Sequence, residues 1–191
     1  MKTAHILDFG IRQPRRNLPV GIARKRGESN FVSAFTKAYI ANAIHGVGGK
    51  EFSLSGYGIA DFVWLAWNHS GTNGDGTAVS VEKMNSELSQ QKLAAFEMKL
   101  TDWRKGLAQT YRYSYFADLA ILVLPPVVAK LAAAELKLFK VFGIGLWSFD
   151  KSTGKIRKLY TPRNSKPRNA IAREKAVELV GSSFKLGKFR K

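Results

Sequence analysis

The 191-residue chain contains no cysteine, which excludes disulfides and thiolate-bound metal and fits a reducing compartment. Its three histidines, His5, His45 and His69, show neither metal-ligand spacing nor a partner for nucleophilic catalysis. The first residues, MKTAHILDFGIRQPRR, lack the apolar core of a secretory signal. The longest apolar run, LAILVLPPVVA over Leu119–Ala129, is too short to cross a bilayer and carries two prolines. The expectation is an intracellular protein, cytoplasmic or nucleoid-associated, without a membrane span. Two apparent motifs also fail: GVGGKE at Gly46–Glu51 lacks the first glycine and the Ser/Thr of a phosphate loop, and NGDG lacks the acidic ladder of a calcium loop.

Acidic residues are scarce at the two ends. Met1–Gly27 has seven Lys/Arg against one Asp, and Lys151–Lys191 has thirteen against two, whereas Glu28–Asp150 is balanced at eleven against eleven. The formal charge of +17 therefore resides in the termini. Basic arms around a neutral body are what phosphate-backbone binding uses, because each neutralised phosphate releases condensed counterion. Solubility or attraction to a membrane surface is the alternative. The Pro- and Arg-rich stretches RQPRRNLPVGIARKRG and TPRNSKPRNAIAREK favour arms on nucleic acid over a membrane helix. Candidate contacts are Arg15, Arg16, Arg24, Lys25, Arg26, Lys105, Arg163, Lys166 and Arg168.

What is present is core material: 45% of residues are hydrophobic and 12% aromatic, enough for one domain with a core over about 28–150 and arms over 1–27 and 160–191. Apolar spacing predicts a helix from about Ser29 to His45. ADFVWLAW reads as a strand, NHSGTNGDGT as a loop, and AVSVEKMNSELSQQ as either strand or short helix. KLAAFEMKL reads as a strand and TDWRKGLAQTYRYSYFA as a helix that Thr101 or Asp102 can cap. DLAILVLP is apolar throughout, as in a strand covered on both faces. PPVVAKLAAAELKLFKVF predicts a helix stopped by Gly143, and GIGLWSFDKSTGKIRKLY a hairpin turning at Ser152–Gly154. Alternation of helices and strands in this order means α/β, with a mixed sheet between helices.

Residues two apart in a strand face one side, so Glu97 and Lys99 project together while Phe96, Met98 and Leu100 face the other way. Phosphodiester hydrolysis uses such a pair: carboxylates hold Mg²⁺ against a phosphate oxygen, and an ammonium orients water or neutralises developing charge. Asp61, which opens the apolar stretch DFVWLAW after GYGIA, supplies a second carboxylate at a strand end. Other readings exist for each residue. Glu97 and Lys99 would be worth little as an exposed pair on an edge strand, Asp61 could cap a turn, and Gln109 and Tyr113 could be ordinary helix-surface residues. Trp64, Trp67, Trp103 and Trp147 suit the core better than base stacking.

Asp61 in IADFV, followed by Glu97 and Lys99 in FEMKL, resembles the PD-(D/E)XK, or restriction-endonuclease-like, nuclease superfamily over about Glu28 to Phe149. Glu28 starts the preceding helix, where that superfamily often has an acid, and Gln109 and Tyr113 match the Gln-x-x-x-Tyr pattern of its RecB-like branch. No proline precedes Asp61, and 35 residues separate it from Glu97, so an insertion or extra strand lies between. The resemblance implies an αβββαβ core and a Mg²⁺- or Mn²⁺-dependent deoxyribonuclease. Asp61 and Glu97, helped by the carbonyl of Met98, would ligate the metal and Lys99 would sit beside the nucleophilic water. Lys105, Gln109 and Tyr113, one helix turn apart, could meet the nucleic-acid backbone or support the metal site. DNA is the expected partner and RNA an open one; a homodimer or an accessory protein would serve for cutting two strands. The alternative is a non-catalytic nucleic-acid-binding protein on the same fold.

Overall fold

A computed structural model of the chain describes residues 4–8, 22–43, 45–66, 91–163 and 165–185. Seven strands form one sheet in sequential order: β1 Ala4–Asp8, β2 Gly46–Leu54, β3 Gly58–Ala66, β4 Lys92–Met98, β5 Leu119–Leu124, β6 Gly145–Asp150 and β7 Lys155–Tyr160. The β1–β2, β4–β5 and β5–β6 pairs are parallel and the other three antiparallel. The expected mixed α/β sheet is therefore present. Five helices are described: α1 Ile22–Asn42, α2 Trp103–Tyr113, α3 Pro126–Ala133, α4 Leu136–Phe142 and α5 Ala170–Lys185. None of the described helices is long and apolar enough to cross a membrane.

Alternation along the central strands builds two cores. Phe62, Trp64, Phe96, Met98, Ile121, Val123, Trp147 and Phe149 face α1, which brings Phe31 and Phe35 to them. Ring contacts such as Phe35 on Phe96, with centroids 5.4 Å apart, fill this layer. Val63, Leu65, Leu93, Ala95, Leu122, Leu124 and Leu146 face the other way, onto α2–α5. Three of the four tryptophans, Trp64, Trp103 and Trp147, are buried as expected, and Trp67 lies outside the described residues. Buried on both faces, β4 and β5 sit centrally, and with them Glu97; the exposed edge-strand reading of Glu97 does not hold.

Several local signals act as expected. Asp102 Oδ1 accepts the Lys105 N–H at 3.0 Å and caps α2, and Gly143, at φ 68°, ends α4 in the left-handed conformation. Other boundaries differ. The helix expected from Pro125 to Phe142 breaks at Ala134–Glu135, where the N–H groups bond three residues back to Leu131 and Ala132. Helix α1 begins at Ile22 rather than Ser29, because IARKRGE contains no residue that stops a helix firmly.

Part of each end joins the fold. Ala4–Asp8 adds a parallel strand to β2, and α5 buries Ala172, Ala176, Val177 and Val180 against the α2 side of the sheet. Asn169 Oδ1 accepts the Ala172 N–H at 3.1 Å as its cap. The four apolar positions of α5 recur at helical spacing, a pattern masked in sequence by the charges between them.

Candidate active site

The site forms where β3 and β4 part. Their ladder ends at Phe62↔Phe96, which leaves Asp61 and Glu97 as the next opposed positions. Beyond that last rung two backbone groups turn to side chains for partners. The Met98 N–H donates to Asp61 Oδ2 at 2.7 Å, and the Ile59 carbonyl accepts the Tyr113 hydroxyl at 2.5 Å. Asp61 is thus more than a turn cap: its carboxylate stands in for a strand carbonyl and is fixed by β4.

A paired slip in side-chain alternation aims Asp61. In β3, Phe62 and Trp64 face α1 whereas Ala60 joins Val63 and Leu65 on the opposite face, so the slip falls at Asp61. Across the ladder, Lys50 reaches Ser33 of α1 while Phe52 and Leu54 face the other core, so β2 slips at Glu51. Glu51 has φ 55°, the only positive φ among the described non-glycine residues. Such bulges bend a strand and redirect its side chains.

Glu97 is 1% exposed and carries two strong contacts. Its Oε1 lies 2.6 Å from Lys99 Nζ, and its Oε2 accepts from the Tyr113 hydroxyl at 2.6 Å. Tyr113 has one proton for two acceptors, Glu97 and Ile59. Helix α2 lies close above because Gly106 has no side chain: a Cβ there would stand 2.9 Å from Lys99 Cγ and 2.7 Å from Leu122 Cδ1. Lys99 therefore lies along the helix, its side chain 15% exposed.

Burial and like charge dominate the electrostatics. Asp61 is raised to about 7, first by burial and then by Glu97, against the opposing pull of the Met98 N–H and Lys99; Glu28 adds a further upward push. Burial also raises Glu97, while Lys99, Tyr113 and Arg112 work to lower it. For Lys99 burial acts to lower the pKa, yet Glu97, Asp61 and Glu28 outweigh it and the value is raised. Tyr113 is raised by burial and by the negative charge of Glu97. Burial is thus the largest cause for both carboxylates, and Lys99 opposes it at each.

Asp61, Glu97, Lys99 and Tyr113 thus meet directly, and Glu28, half-buried in α1, is close enough to act on Asp61 and Lys99 through space. Met98 enters through its N–H; in a strand the carbonyl of the same residue faces the same neighbour, which puts it on the fork side. Gln109 stands one turn before Tyr113, its Oε1 buried without a partner among the described residues. Arg112 was absent from the sequence expectations. Its guanidinium lies beside Gly58 and near enough to Glu97 and Tyr113 to lower both. The readable signal was the polar stripe Lys105, Gln109, Arg112 at i, i+4, i+7.

The expected nucleic-acid contacts disperse. Lys105, Arg26, Arg163 and Lys166 are exposed, Arg24 and Lys25 fall in the first turn of α1, and Arg15 and Arg16 lie outside the described residues. Arg168 is engaged in the fold: Nη2 donates to the Phe142 carbonyl at 3.2 Å, Nε to Ser114 Oγ at 3.1 Å, and the guanidinium stacks on Tyr111. It joins the ends of α2 and α4. Among the described residues no three His, Cys, Asp or Glu side chains gather as a metal cage. Comparison with protein-family models, curated proteins and solved structures finds no match. Chemically, the fork offers two carboxylates, a positioned ammonium and an exposed guanidinium. Those groups suit an anionic substrate held with a hard cation.

Proposed function

We propose that this chain is a divalent-metal-dependent nuclease that hydrolyses phosphodiester bonds of DNA on a restriction-endonuclease-like core, with Asp61, Glu97 and Lys99 at its centre. The observation that carries the reading is the convergence of two carboxylates and an ammonium at a fork in the middle of the sheet, with Glu97 buried. Stability alone gives little reason for them, since replacing a buried ion pair by apolar side chains is often neutral or stabilising. The order α1, β2, β3, β4, α2, β5 supports the αβββαβ arrangement that the sequence resemblance implies.

The donor set fits Mg²⁺ or Mn²⁺, because Mg²⁺ is bound through one or two carboxylates, several waters and substrate phosphates rather than by an all-protein cage. Asp61 and Glu97 would hold the ion, with the Met98 carbonyl beside them. When bound, it would polarise a phosphoryl oxygen and acidify a water. Lys99, held by Glu97 at 2.6 Å, orients the attacking water and offsets charge as it develops on the phosphorus oxygens. Tyr113 fixes the orientation of Glu97, and Arg112 offers a second cation at the exposed mouth.

The test is cleavage of labelled linear, nicked, branched and single-stranded DNA with Mg²⁺, Mn²⁺ or EDTA. Metal-dependent cutting by the native chain and its loss in Glu97→Gln and Lys99→Ala, with DNA binding retained, are the expected results. Binding without cutting in every metal and substrate would replace this reading by a non-catalytic binder. In parallel, Mn²⁺ should raise the melting temperature of the native chain and raise that of Asp61→Asn less, since a ligand that binds the folded state stabilises it by mass action.

A further inference from the structure

A groove separate from the Asp61–Glu97 fork is lined by Pro126, Ser148, Asp150, Lys155 and Arg157. Register builds it: β6 and β7 pair Ser148 with Arg157 and Asp150 with Lys155, so these four side chains share one face. Ser148 is 5% exposed and lines the wall of this groove. The ion pairs among the described residues are Lys99–Glu97 and Arg173–Asp118, which leaves both Lys155 and Arg157 without a carboxylate. Asp150 is turned into its own hairpin, where Oδ1 accepts the Ser152 N–H at 2.9 Å and its hydroxyl at 2.6 Å. What remains in the groove is a serine hydroxyl on its wall and two cations facing one carboxylate that is already engaged in the hairpin. That is an oxyanion site by composition.

Its placement says which oxyanion. Strands β4, β5 and β6 are mutually parallel, and β3 and β7 run against them, so the fork and the groove open on the same edge of the sheet. Both also lie on the face covered by α2 and α3, since Tyr113 and Leu146 belong to that core. Three strand spacings of ~4.8 Å separate β4 from β7, a span of about 14 Å. With one phosphate per ~3.4 Å of axis on each strand, that is about four nucleotide steps. Protecting an edge strand from aggregation would account for Lys155 and Arg157 taken singly, but not for their convergence with Ser148 in one groove.

We propose that this groove binds a backbone phosphodiester of the polynucleotide, about four nucleotides from the bond presented to Lys99, and so sets the register of the strand in the site. The proposal rests on the nuclease reading for the identity of the ligand. The experiment is binding of a DNA duplex to the full chain in EDTA across a salt series, for the native protein, Lys155→Gln/Arg157→Gln and Ser148→Ala. It is repeated with duplexes in which single phosphates are replaced by neutral methylphosphonates, and with inorganic phosphate as a competitor.

The double variant should fold as the native chain does and lose about one in the slope of log K against log salt for each charge removed. One methylphosphonate position, about four steps from the Mg²⁺-dependent cut, should weaken the native chain and leave the double variant unaffected. Ser148→Ala should weaken binding at that same position with its salt slope unchanged. An unchanged affinity and slope in the double variant would overturn the proposal, as would groove-dependent binding of inorganic phosphate with no sensitive backbone position. Failure of the two readings is separable. A groove-dependent sensitive phosphate without any cutting rejects the nuclease and keeps the groove, whereas cutting with an indifferent double variant rejects the groove and keeps the nuclease.

Discussion

At the scale of single residues, the fork is a place where the folded state holds protons that the unfolded chain releases. Burial, and then Glu97, push Asp61 up to about 7 in the fold from an ordinary value of 3.8. Between those values the folded state binds more protons than the unfolded one, so stability is fully present below the lower value and declines as pH rises through the upper. The melting temperature of the metal-free chain should therefore fall as pH rises from about 4 to about 7, and Asp61→Asn should flatten that slope. An equal slope in the variant would show that Asp61 is not the group responsible. Tyr113→Phe removes the donor shared by Glu97 and the Ile59 carbonyl. A loss of about 1–3 kcal/mol in denaturant unfolding is expected, the usual cost of leaving a buried acceptor unmet. Gly106→Ala adds a methyl against Lys99 Cγ and Leu122 Cδ1, so cleavage should drop sharply while stability falls by about 1–3 kcal/mol, the overpacking range.

At the scale of elements, the fork depends on the bulge that β2 and β3 share. Glu51 at φ 55° tolerates a flexible or absent side chain far better than a β-branched one. Glu51→Ile should cost about 1–2 kcal/mol, the penalty of a left-handed conformation, whereas Glu51→Gly should hold or raise stability. Chemical denaturation of the two variants separates strain from a role for the carboxylate: a loss in both would point to the charge instead. Helix α5 sets a second expectation. Its Ala172, Ala176, Val177 and Val180 belong to the core, and Arg173 ties it to Asp118 at 2.8 Å and to the Gln91 carbonyl at 2.7 Å. Removing residues from 170 onward should abolish cooperative unfolding, not merely weaken nucleic-acid binding; circular dichroism melts would decide.

At the scale of the molecule, charge and fold are distributed differently. Five of the seven strands and most of the two cores lie in the neutral middle of the chain, while β1, β7 and α5 bring parts of the basic ends into the fold. Part of the basic excess is structural: Arg168 and Arg173 spend their donors on helix ends and on Asp118. The exposed Arg163 and Lys166 remain available, on the segment between β7 and α5. Neutralising both to Gln should weaken DNA binding about equally for all sequences and lower the salt slope by about one each, whereas Arg168→Gln should mainly lower the melting temperature. A salt slope reduced by Arg168→Gln without loss of stability would reverse that assignment.

Local chemistry was legible in the sequence because its causes lie within a few residues. The two-residue period put Glu97 and Lys99 on one face, Asp102 capped α2, Gly143 stopped α4, and the uniformly apolar LAILVL gave a central strand. Asp61 and Tyr113 were identifiable as partners, yet their bonds were not. Each spans a long loop of chain: Met98 N–H to Asp61, Tyr113 to Ile59. The slip at Glu51 and Asp61, the seating of Lys99 under Gly106, the clamp made by Arg168 and the burial of α5 were decided only by tertiary packing. Periodicity fixes which way a side chain points from its own element. Which backbone groups lose their rung, and which side chains must then satisfy them, is settled when the elements meet, because an unpaired polar group is costly only once the fold has removed its water.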